Sequence, residues 1–175
     1  QGYNILHILG NHEDMLLISG VEGTERIGGP FNESIRKRTP WLLINLITAF
    51  MASAVVGLFQ DTIEQVVVLA VAMPIITGMG GNSASQTLAL VIQEVAIGQL
   101  TWEKDKKYVL NEIWLGLVNG IITGIFAAIA LYIPYQNFFL SIIVILAMAM
   151  NLMVGAFFGF FVPFLLKKLN LDPAI

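Results

Sequence analysis

Charged side chains are missing from three long stretches of this chain, and these gaps set out its architecture. Trp41 to Gln60 carries no charge and is about the minimum length for crossing a hydrocarbon core of roughly 30 Å. Gln65 to Gln93 is again free of charge. It is too long for one straight perpendicular helix at about 1.5 Å per residue, so it must tilt, protrude or break. Residues 113–166 contain no Asp, Glu, Lys, Arg or His. Pro134 and the polar group Tyr135-Gln136-Asn137 divide that run into Ile113–Ile133 and Phe138–Leu166. Helices are the expected solution, because a helix satisfies its own backbone hydrogen bonds inside lipid. The expected fold is all-α: a polytopic membrane helix bundle with spans at about 41–60, 65–93, 113–133 and 138–166.

Composition agrees with that pattern. Apolar residues make up 57% of the 175 residues and charged residues 12%. Soluble domains carry roughly 45–50% and about 25%. There is no cysteine, which excludes disulfides and thiolate metal sites. The net charge of −3 is small and says little about nucleic acid, but that reading would need a basic stripe, and none exists.

Residues 1–40 differ in character. They hold both histidines, Arg26, Arg36, Lys37 and Arg38, and the acids Glu13, Asp14, Glu22, Glu25 and Glu33. Gly20, Gly23, Gly28, Gly29 and Pro30 punctuate the segment as turns. It reads as the water-facing end of something larger, with residues 41–175 as the membrane domain. The remaining basic residues are Lys104, Lys106, Lys107, Lys167 and Lys168. With four spans, all nine fall on one side, and the opposite loops around Asp61–Glu64 and Tyr132–Asn137 have none. The positive-inside rule then places both termini in the cytoplasm. Trp41, Trp102, Trp114, Tyr132 and Tyr135 sit near the span ends, as interfacial aromatics do.

Small and polar residues inside the spans point to packing. Gly116, Gly120 and Gly124 recur every four residues, and Gly155 and Gly159 do the same. Such faces let helix backbones approach closely in lipid, within one subunit or between two. Asn45, Asn119 and Asn151 each lie inside a span and are expected to bond across helices or to backbone. Leu140 lies away from any polar run and is expected to tolerate change.

The second span holds the most informative segment. Pro74 removes a helix donor, and Gly78, Gly80 and Gly81 weaken the helix further. The expectation is a break over Gly78–Ser85. Irregular backbone at membrane depth is tolerated only where it is buried or lines a wet cavity. Thr77, Asn82, Ser83, Ser85, Gln86 and Thr87 supply neutral oxygens there. Carbonyls and uncharged oxygens suit a hydrated hard cation, and Mg²⁺ keeps much of its water when bound. The plainer alternative is a glycine-rich kink for packing.

The runs Arg38-Thr39-Pro40-Trp41-Leu42-Leu43-Ile44-Asn45-Leu46, Pro74…Gly78-Met79-Gly80-Gly81-Asn82…Gln86, Asn151-Leu152…Gly155…Gly159…Pro163 and Leu171-Asp172-Pro173-Ala174 resemble the membrane domain of MgtE-type magnesium channels. The resemblance covers about Gly20 to Ile175. Ala84 stands where that family often has glycine, and Gln93 where arginine is common. The resemblance implies a homodimer in the plasma membrane, with a Mg²⁺ path between the subunits. It implies that Gly78 and Gly81 offer carbonyls to hydrated Mg²⁺, that Asn82 and Ser85 bond its waters, and that Asp172 lies at the cytoplasmic mouth. It further implies a fifth span with an acidic residue after Asp172-Pro173-Ala174, so the chain is expected to be truncated before it. Residues 1–40 would end a cytoplasmic sensing region and its connecting helix. Glu22, Glu25 and Glu33 are then candidates for a regulatory Mg²⁺ site, although solvated acids are the ordinary reading. His7 and His12, beside Glu13 and Asp14, are read as solvated.

The leading expectation is therefore a gated channel for divalent cations, chiefly Mg²⁺. A secondary transporter of a small solute built on a discontinuous helix is the alternative, and a membrane scaffold subunit without transport is a third. An enzyme is not expected, since no base–nucleophile or charged catalytic pair lies inside a span.

Overall fold

The computed structural model describes residues 28–96 and 106–168. His7, His12, Glu22, Glu25 and Asp172 lie outside the described residues. Every regular element among those described is helical. These are α1 (Phe31–Gly57), α2 (Gln60–Gln65), α3 (Val68–Ala96), α4 (Lys106–Tyr135) and α5 (Phe138–Lys168). All but α2 are long and apolar enough to cross a membrane. The chain divides into two units between Thr62 and Ile63.

In the first unit, α1 begins ahead of its apolar stretch. Pro30 precedes the helix, and its carbonyl accepts from the Glu33 and Ser34 amides. Glu33 lies in the first turn, where a carboxylate complements the helix dipole, and pairs with Lys37 one turn on at 3.0 Å. Pro40 sits inside the helix. The charged Glu33–Arg38 segment and the apolar run from Trp41 are therefore one continuous element. Charge ends the lipid-compatible part of a helix without ending the helix.

The second unit is built on α5, which packs against both α3 and α4. Against α4, the glycine face predicts the contact. A Cβ added at Gly120 would come within 2.5 Å of the Ala149 Cα, and one at Gly116 within 2.8 Å of the Leu152 carbonyl oxygen. The close approach is within one chain. Ala72, Ala128, Leu131, Leu140 and Val144 form a buried cluster toward the α4–α5 turn, and Val91 and Phe160 pack together farther along. Leu140 is 3% exposed. It is a core residue and not the tolerant position expected; in a helix apolar all round, the buried side cannot be read from polarity.

The α4–α5 turn lies where Pro134 and the polar residues after it mark it. Gln136 takes a left-handed conformation, φ 50°, and its amide donates to the Tyr132 carbonyl at 2.8 Å. The Asn137 side-chain oxygen then accepts from the Leu140 amide at 3.1 Å and caps α5.

The expected break in the second span is not present. α3 is a continuous α-helix from Val68 to Ala96, with Pro74 inside it. Each glycine costs a helix about 1 kcal/mol, whereas a backbone polar group left unpaired in lipid costs several. The chain keeps its ladder. The discontinuous helix on which the solute-transporter alternative rested is thereby removed.

Candidate functional site

Two sides of α3 carry different chemistry. At 3.6 residues per turn, Gly80, Ala84, Thr87 and Val91 share one side, and Gly78, Asn82 and Ser85 fall roughly opposite. Burial follows the same division. Gly80, Thr87 and Val91 are buried, while Gly78, Gly81, Asn82, Ser85 and Gln86 are exposed in the single chain. An added Cβ at Gly78 or Gly81 would meet nothing within 4 Å.

The buried side is joined to α5 through backbone. Gly155 comes so near that an added Cβ would stand 2.5 Å from the Gly80 carbonyl oxygen, and one at Gly159 would collide with the Ala84 carbonyl. Gly159, lacking a side chain, leaves room for the α3 backbone at position 84. Two polar bonds cross the same contact in opposite directions. The Asn151 Nδ2 on α5 donates to the Ile76 carbonyl on α3. The Ser83 hydroxyl on α3 donates to the Leu152 carbonyl on α5 at 3.1 Å. Asn151 thus makes the cross-helix bond its place in a span predicts. Asn45 and Asn119 lie instead on exposed faces of α1 and α4. Farther along α3, Thr87, 5% exposed, donates to the Glu112 carboxylate of α4 at 3.2 Å. That bond, and the choice of Ile76 as the partner of Asn151, were not legible in local sequence.

The structure therefore brings Gly78, Gly81, Asn82 and Ser85 onto one open surface. In an unbroken helix each carbonyl already accepts an amide, so these glycines offer a second lone pair and not a free oxygen. Asn82 and Ser85 add side-chain oxygens beside them. Of the other metal candidates, Glu33 alone is described, and it is paired with Lys37. Among the described residues, no three His, Asp or Glu side chains gather to hold a metal. What the α3 face can do is accept hydrogen bonds from the water shell of an ion, through several weak neutral acceptors.

Comparison with known proteins gives the family of the chain. Residues 73–175 match the MgtE family model, described as a divalent cation transporter. The chain is 30% identical over 139 residues to the magnesium transporter MgtE of Bacillus subtilis (strain 168), covering 79% of this chain and 31% of that protein. It is 29% identical over 161 residues to the magnesium transporter MgtE of Enterococcus faecalis, covering 90% and 35%. For the Thermus thermophilus magnesium transporter MgtE the identity is 28% over 142 residues, covering 79% and 30%. The chain thus spans 30–35% of the length of these relatives. The family match extends over more than half of the chain and includes all of the open α3 face, and the chain belongs to the MgtE family of divalent cation transporters.

Proposed function

We propose that this chain supplies part of a membrane path for divalent cations, chiefly Mg²⁺, with the open face of α3 along the route. One observation carries the reading. Within an apolar span, a side of α3 rich in neutral oxygen acceptors stays uncovered while its opposite side is locked against α5. Mg²⁺ gives up its water reluctantly, so a route for the hydrated ion needs room and many weak acceptors in place of a charged cage. Gly78 and Gly81 supply the room and the backbone oxygens; Asn82 and Ser85 supply side-chain acceptors for the ion's water. A polar face toward lipid would be costly. A second copy in a homodimer would cover it and double the acceptors. In this reading Asp172 stands at the cytoplasmic mouth, and Glu22, Glu25 and Glu33 belong to a regulatory Mg²⁺ site. The chain lies in the plasma membrane with its N-terminus in the cytoplasm, and residues 1–40 link a cytoplasmic region to the membrane domain 41–175.

The test is Mg²⁺ flux through the full-length protein in vesicles. Asn82→Leu removes the acceptor while keeping a branched side chain, and Gly81→Val fills space at a position where an added Cβ meets nothing within 4 Å. Both should cut flux at least about tenfold, while crosslinking still traps a dimer. Leu146→Ala, on an exposed side of α5 at 58% exposure, should leave flux unchanged. Wild-type flux in both α3 variants would reduce the segment to a packing feature.

A further inference from the structure

We infer that Asn151 is a positioning residue for the ion route, acting from behind α3 through the Ile76 carbonyl. The inference rests on the open face of α3 being that route. Asn151 approaches α3 at Gly80, on the side opposite that face. Its amide bonds Ile76 O, and its side chain fills the space beside Gly80, where an added Cβ would meet it. Ile76 and Gly80 are one helical turn apart and flank Gly78. This is the stretch of α3 with the least intrinsic stiffness, since Pro74 has no donor to give and Gly78, Gly80 and Gly81 bring no side chains to pack. Thr77 adds a local brace, its hydroxyl donating to the Met73 carbonyl at 2.8 Å. Asn151 is the brace that comes from another helix. The bond uses the second lone pair of Ile76 O, so it can form without breaking the helix ladder. It fixes where the next turn presents its oxygens.

The Ser83–Leu152 bond ties the same two helices about two turns farther along α3, but its donor belongs to α3 and its acceptor to the regular backbone of α5. Losing Ser83's hydroxyl loosens the packing. Losing Asn151's amide removes the donor that α5 lends to the Ile76 carbonyl, one turn before Gly80, and leaves that oxygen with its bond inside the helix alone. The two helices meet closely only because Gly80, Gly155 and Gly159 lack side chains, so both bonds depend on that contact.

The experiment measures Mg²⁺ flux against Mg²⁺ concentration for the full-length protein in vesicles, normalised to inserted dimer. Asn151→Leu keeps the branched shape and deletes the donor. We expect the half-saturating Mg²⁺ concentration to rise about tenfold, with maximal flux per dimer within about twofold of wild type. A residue that merely held the bundle together would lower the amount of inserted protein and leave half-saturation alone. Asn151→Ala, which only removes atoms, decides the matter if Asn151→Leu does not insert. Failure of both to insert would make the amide a folding determinant and overturn the inference. Unchanged half-saturation in an inserted Asn151 variant, beside a flux loss in Asn82→Leu, would overturn the positioning role and spare the route. Wild-type behaviour in Asn151→Leu and Asn82→Leu together would remove the route, and the inference with it.

Discussion

A glycine's surroundings separate two roles that look the same in sequence. Gly81 and Gly120 both sit inside apolar helices, yet an added Cβ at Gly81 meets nothing within 4 Å and one at Gly120 comes within 2.5 Å of the Ala149 Cα. The neighbour at Gly120 is backbone and cannot rotate away, so a larger residue must push α4 from α5. Overpacking of this kind costs about 1–3 kcal/mol. Gly120→Val should therefore lower the thermal unfolding midpoint in detergent and reduce the yield of folded protein. Gly81→Val should leave that midpoint near wild type, and its effect should be confined to flux. Equal destabilisation by the two would mean that the α3 face is packed against something in the assembled protein more tightly than an ion route allows.

At the level of elements, the α4–α5 turn is where local chemistry and structure agree most closely. Pro134, Gln136 with its left-handed backbone and the Asn137 cap stop one helix and start the next within four residues. Asn137→Ala removes the acceptor for the Leu140 amide and should cost about 1 kcal/mol, read as a lower midpoint in the same unfolding measurement. That turn was legible because its signals are short-range. The gaps in charge likewise showed the four long helices, and the four-residue glycine spacing showed which side of α4 would be approached. The continuity of α3 was not legible. Propensity at Pro74, Gly78, Gly80 and Gly81 counts what a helix loses locally, while the outcome depends on what the lipid would charge for open backbone and on α5 lying alongside. The partner of Asn151 was hidden for a similar reason: the Ile76 carbonyl lies 75 residues away in sequence and belongs to backbone, which carries no side-chain signature. Leu140 shows the remaining limit, since no polar stripe distinguishes its buried side from the lipid side of α5.

For the whole molecule, the distribution of charge predicts which way the helices run through the bilayer. Lys106 and Lys107 open α4, and Gln136 closes the turn at its far end. Thirty residues of α4 separate these points by about 45 Å along the axis, enough to put them on opposite sides of a hydrocarbon core of roughly 30 Å. Lysine and arginine near span ends resist translocation, and all nine fall in segments that share one side when four spans are crossed. These 175 residues contain no cysteine, so none of them competes with an introduced label. Gln136→Cys suits the purpose, since the side chain is exposed and cysteine is no less fit than glutamine for the left-handed backbone there. In intact cells it should react with a membrane-impermeant maleimide. Lys106→Cys should react only after the membrane is opened. The reverse pattern would put Lys167 and Lys168 outside the cell, and Asp172 could then no longer stand at a cytoplasmic mouth.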